Sequence, residues 1–242
     1  MEERTRKKLT RNKTFRQMME TDPSYLEQVA AFSFEEVPKA DPAIDERSRA
    51  LVIAATVMGC QGIDFYRQIL LDGALSVLHP IEVKEVLYQA TAYLGLARIY
   101  PFIEATNEVL KKRGIKLPLP EQGTTTSENR REKGTEAQVA IFGEGMRDFW
   151  SRSTVNQWLA ANCFGDYYTR TGLSLQDREL VTFCFLAAQG GCEPQLVSHA
   201  KGNFHLGNSA GFLRAIVRQC IPYIGYPRSL NALSAIDQAE QA

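Results

Sequence analysis

The chain has 242 residues, 44% hydrophobic and 23% charged, enough for one large core or two small ones. Its 28 Lys and Arg balance 28 Asp and Glu. With no basic surplus to drive phosphate binding, nucleic acid is excluded as the main partner. No apolar run approaches the roughly 20 residues that span a bilayer, so no membrane partner is expected either.

In chain order, residues 1–34 read as a basic N-terminal arm and helix. Arg4, Arg6, Lys7, Lys8, Arg11, Lys13 and Arg16 crowd its first half. No apolar run follows them, so this is not a secretory leader, and the charge run reads as solvated. A first helical unit spans 35–113. Asp45 can cap a helix through Leu51 and Ala55 to Met58. Gly62 and Asp64 open the next, towards Leu78. Pro80 starts a third through Val83, Val86 and Leu87, and Pro101 starts a fourth. Residues 114–138, GIKLPLPEQGTTTSENRREKGTEAQ, have the composition of a linker or long surface loop.

The second unit spans 139–242. Ser174 can cap the run SLQDRELVTFCFLAAQ, with Asp177 at capping-box spacing. Gly190 and Gly191 stop that helix, and Pro194 suits the first turn of the next, which reaches about Leu206. Asn208 and Ser209 offer a cap for a third through Phe212 and Ile216. Pro222 and Pro227 punctuate its end and a last helix follows. Apolar residues recur at helical spacing throughout, so the fold class is all-α.

The two units share spacing. Gln89, Tyr93, Gly95 and Arg98 recur 130 positions later as Gln219, Tyr223, Gly225 and Arg228. Arg49, Leu51, Val52, Gly62 and Gly73 recur 129 later as Arg178, Leu180, Val181, Gly191 and Gly202. Laid over each other, the copies differ chemically at four positions. Glu179 faces Ala50, Cys192 faces Ile63, Gln195 faces Tyr66 and His199 faces Leu70. The second copy is polar at all four and the first aliphatic at three of them, which suggests one working site and one supporting scaffold.

Cys192 precedes a helix start, where unpaired N–H groups and the dipole favour a thiolate. His199 lies seven residues on, close to two turns, on the same face as Gln195. The functional reading makes Cys192 a nucleophile or proton donor, His199 a proton carrier and Glu179 its orienting carboxylate. The plain alternative is a small helix-start residue, an interior histidine and a first-turn carboxylate. If the two helices run antiparallel, Glu179 need not approach the Cys192 end.

Five cysteines, Cys60, Cys163, Cys184, Cys192 and Cys220, are odd in number and lack CxxC spacing. That excludes a disulfide framework and a structural zinc cluster, and fits a reducing, cytoplasmic compartment. Cys184 and Cys220 read as buried helix residues. The three histidines have no tight spacing, so no metal and no cofactor are expected. His205 points to a different face from His199, and His79 marks a helix junction. Trp150, Trp158, Tyr167 and Tyr168 read as core or subunit contact rather than as ligand-stacking residues.

DREL at 177–180, followed by GGCEPQLVSHAKGN at 190–203, resembles the carboxymuconolactone decarboxylase and alkylhydroperoxidase D family. In the first half IDERSRALVIAATVMG and IEVKEVLYQATAYLGLARIYPFIEATNEVLKKRG resemble it too. The resemblance implies two tandem all-α units in a ring-like oligomer, with a homotrimer reaching the ring's full unit count. It implies either decarboxylation of a lactone acid or peroxide reduction through a cysteine pair relayed by Glu and His. Matched by position, Glu179 takes the relay glutamate, Cys192 the first cysteine and His199 the histidine. Gln195 stands where the second cysteine belongs, which breaks a two-cysteine cycle and leaves it as a substrate contact. The expectation is therefore a lyase acting on a small organic acid or lactone by proton transfer. The alternatives are a single-cysteine, thiol-dependent peroxidase and a non-catalytic oligomeric binding or scaffold protein.

Overall fold

The computed structural model describes residues 1–241, without the side chains of Arg4, Lys8, Ile69 and Asp72; Ala242, the end of the second unit's span, lies outside it. Helices alone build the fold, with no strand among the described residues.

The basic arm is helical. Short helices α1 (Glu3–Leu9), α2 (Lys13–Thr21) and α3 (Pro23–Ala31) continue through a π turn, Phe32–Glu36, into α4 (Val37–Ala40). Leu9, Phe15, Leu26 and Ala30 bury a small core of their own, and the Phe15 ring sits edge-on to Phe34. The charged side chains of Arg6, Lys7, Arg11, Lys13 and Arg16 stay exposed around this small core.

In the first unit, α5 (Glu46–Gly59) is capped by Asp45, which accepts from the Ser48 N–H at 2.8 Å. The run that follows comprises α6 (Ile63–Phe65), a π turn at Tyr66–Leu70 and α7 (Leu71–Ala74). His79 and Glu82 form a capping box at the start of α8 (Pro80–Leu94). The fourth helix, α9 (Leu96–Lys112), begins after Gly95, whose φ of 84° only glycine adopts cheaply. Pro101 therefore lies inside this helix, not at its start.

The segment read as a linker is coil only to 129. From there α10 (Arg130–Phe142) buries Gly134, Ala137, Gln138 and Ile141 against the π-helical run Leu159–Tyr168. Two glycines permit this contact. A Cβ on Gly134 would stand 1.8 Å from the Ala160 carbonyl oxygen, and one on Gly165 would stand 2.1 Å from that of Arg130. The helix is held by backbone approach, which leaves little apolar signature in its sequence.

The second unit continues with α11 (Thr154–Trp158), which leads into that π-helical run. Ser174 and Asp177 form the expected capping box on α12 (Leu175–Gln189). Gly190 and Gly191, at φ 68° and 71°, turn the chain into α13 (Glu193–His205). Ser209 caps α14 (Ala210–Glu240), which breaks at Gly225.

At the centre α5 packs across α12. Gly59 meets Ala188 there so closely that a Cβ would stand 2.6 Å from the alanine Cβ, and these two positions are themselves 129 apart. Buried polar ties cross between the halves. Arg49 donates to the Gln219 side-chain oxygen at 3.1 Å, and Arg178 donates to that of Gln89 at 3.2 Å. The recurring Arg of each half is thus bound to the recurring Gln of the other. Arg178, fully buried, also pairs with Glu85 at 2.9 Å. No helix among the described residues is long and apolar enough to cross a membrane.

Candidate functional site

Because α12 and α13 form a hairpin about Gly190–Gly191, residues at equal distance from the turn face each other. Glu179, near the start of α12, therefore meets α13 one turn after its middle. Its Oε2 lies 2.8 Å from His199 Nδ1. Antiparallel packing brings the carboxylate to the histidine and leaves Cys192 at the turn, so the pairing arises within one hairpin and needs no second subunit.

The carboxylate is fully buried and the imidazole 7% exposed. Tyr168 donates its hydroxyl to Glu179 Oε1 at 2.5 Å, and its oxygen lies 3.1 Å from the Thr182 hydroxyl. Tyr93, from the first unit, adds a 2.7 Å hydroxyl contact to Tyr168. Burial first, and the neighbouring Cys163 or Glu179 charge after it, raise both tyrosines well above their ordinary range. They stay protonated and act as donors. The same burial pushes the Cys163 thiol up to about 12.

When the carboxylate is ionised it can only accept, and Nδ1 is then the donor across this contact. The other nitrogen, Nε2, has no hydrogen-bond partner among the described residues and is free to take or give a proton. Tyr93 and Phe142 close on the ring edge-to-face, with centroids at 5.3 and 5.4 Å. Asn203 fixes the hairpin by donating to the carbonyls of Glu179 and His199 at 2.9 and 2.8 Å. Gly202 leaves room for the carboxylate. A Cβ there would come within 2.7 Å of Glu179 Oε2 and 2.9 Å of the Ile141 side chain.

Cys192 is half-buried, with hydrogen bonds to the Gln189 amide at 3.6 Å and the Leu186 carbonyl at 3.5 Å. Seven residues of helical rise separate it from His199, about 10 Å along the axis. Its thiol is raised. Burial is the main cause, the Gln189 contact opposes it and the Glu193 charge adds to it. Burial thus works against the thiolate that a helix start favours. Gln195 is exposed, on the solvent side of α13. Cys184 and Cys220 are buried in the main core.

The sequence reading left Tyr168 as a core or contact residue and gave Tyr93 no role beyond the repeat. Both reach the site from other elements, and no local spacing announces them. The recurrence of Tyr93 as Tyr223 was the available signal. Among the described residues no three His, Cys, Asp or Glu side chains cluster to hold a metal ion.

Residues 154–238 match the model of the carboxymuconolactone decarboxylase family. The chain is 26% identical over 119 residues to 4-carboxymuconolactone decarboxylase of Acinetobacter baylyi, a match covering 46% of this chain and 87% of that protein. A crystal structure from Burkholderia xenovorans LB400, provisionally named a gamma-carboxymuconolactone decarboxylase subunit, shares the fold. Its TM-score is 0.56 at 19% identity, covering 98% of this chain and 97% of that one.

Proposed function

We propose, from the premise that this chain belongs to the carboxymuconolactone decarboxylase family, that it decarboxylates a small lactone carboxylate of the 4-carboxymuconolactone kind. The observation that carries the reading is the buried line Tyr168–Glu179–His199 ending in a free imidazole nitrogen. When the bond to the carboxylate breaks, carbon dioxide leaves and the electron pair passes into the lactone system. A proton must then return to carbon, and Nε2 of protonated His199 supplies it. Glu179 stabilises the imidazolium, and Tyr168 holds Glu179 by donating to its other oxygen. Cys192 assists from the turn, and Gln195 offers an amide at the outer side of the same helix. The single-cysteine peroxidase alternative has weaker support, because burial raises the Cys192 thiol and the thiol bonds to Gln189 and Leu186 rather than to the Glu179–His199 pair.

The decisive measurement is carbon dioxide release from 4-carboxymuconolactone. His199→Gln should lower kcat by about 10²-fold or more, in line with loss of one acid–base group. Cys192→Ser should change it by only a few-fold. Undiminished turnover without the imidazole, or peroxide consumption that disappears with the thiol, would sink the reading.

The chain also assembles with copies of itself in this proposal, as a homotrimer. Leu96 and Tyr100 in the first half and Tyr226 and Leu230 in the second are large, apolar and more than half exposed. Each pair recurs at the 130-position offset, so both halves present the same patch.

A further inference from the structure

A cleft of about 460 Å³ opens on the first half, away from the imidazole. Lys84 on α8 lines it together with Tyr88, Asn107, Lys111 and the apolar stretch from Leu117 to Pro120. Lys84 is only 8% exposed. Its ammonium donates to the neutral Asn107 side-chain oxygen at 2.8 Å and lies 5.4 Å from the Tyr88 ring centroid. It has no carboxylate partner among the described residues. A buried ammonium without an opposite charge is costly, and burial accordingly lowers its proton affinity.

The carboxylates at the cleft are already taken. Glu85 pairs with Arg170 at 3.0 Å and Arg178 at 2.9 Å, and Glu121 pairs with Arg170 at 3.1 Å. The cleft therefore keeps a positive surplus from Lys84 and Lys111.

The second half provides a control. Shifted by 130, Lys84 becomes Arg214, Asn107 becomes Asp237 and Leu110 becomes Glu240. Arg214 is ion-paired with Asp237 at 2.6 Å and with Glu240. A cation at the same helical position, lysine in one half and arginine in the other, is left open in the first and neutralised from within in the second. The open one faces a cleft.

We infer that this cleft binds a small organic carboxylate with an apolar body, its charge on Lys84 and its body against Tyr88 and the Leu117–Pro120 wall. Charge alone would suit any anion; the apolar wall and the aromatic face select one with a hydrocarbon part.

Titration calorimetry with benzoate tests this. Wild type should bind benzoate. Asn107→Asp copies the second half's own neutralisation without touching the core, and should weaken binding at least about tenfold, roughly 1.4 kcal/mol. Lys84→Met should do the same. His199→Gln should leave it unchanged. Absence of binding to wild type overturns the inference, as does equal binding by a folded Asn107→Asp variant. Binding lost in His199→Gln puts the anion at the imidazole and overturns it too. Inorganic phosphate that outcompetes benzoate with the same Asn107 sensitivity overturns the carboxylate class.

Discussion

A fully buried carboxylate survives in a helical interior only when its lone pairs are used. Glu179 uses both oxygens, one on His199 and one on Tyr168. The missing side chain at Gly202 makes the space. Gly202→Ala should displace the carboxylate from the imidazole and cost about 1–3 kcal/mol of stability as overpacking. Turnover should fall by more than the melting temperature alone explains, which paired activity and thermal-unfolding measurements resolve; unaltered turnover would show the carboxylate has slack. At this scale the sequence was partly readable. Glu179 and His199 stood out because the other half carries Ala50 and Leu70 in their places. Tyr168 and Tyr93 did not, since a hydroxyl's target depends on how distant helices pack.

Helices are tied to one another by ion pairs whose effect depends on pH. Asp41, after α4, pairs with Arg218 on α14, and that bond chiefly holds its carboxyl below the ordinary carboxylate range, against some desolvation. A depressed folded-state value means the tie contributes fully above the unfolded value, near pH 4, and is lost as pH falls through the lower folded value. The urea midpoint of the wild type should therefore decline as pH drops below about 4, and Asp41→Asn should flatten part of that decline. An identical pH profile in the variant would remove Asp41 from the account. Helix ends were legible where a side chain caps or a glycine turns, as at Asp45, Ser174 and Gly190–Gly191. The helix from Arg130 to Phe142 was not. Its contact is made through Gly134 and Gly165, so its sequence lacks the apolar stripe by which buried helices are recognised.

For the molecule as a whole, the proposed self-association rests on the exposed Leu96, Tyr100, Tyr226 and Leu230. Light scattering on the purified chain should give the mass of three copies, and Leu96→Glu combined with Tyr226→Glu should reduce it to one. A wild type already of single-chain mass would leave those patches unexplained by self-association. The ties across the chain were not foreseeable from spacing, because an offset between matching residues carries no direction in space. Arg49 closes on Gln219 and Arg178 on Gln89, each reaching out of its own half. The coil from 114 to 129 is thus a tether between partners that already grip each other through their interiors. Severed there, the two pieces would stay mated by what they bury, and in a single piece kept apart the arginine would keep only its own half's carbonyls while the glutamine lost every partner.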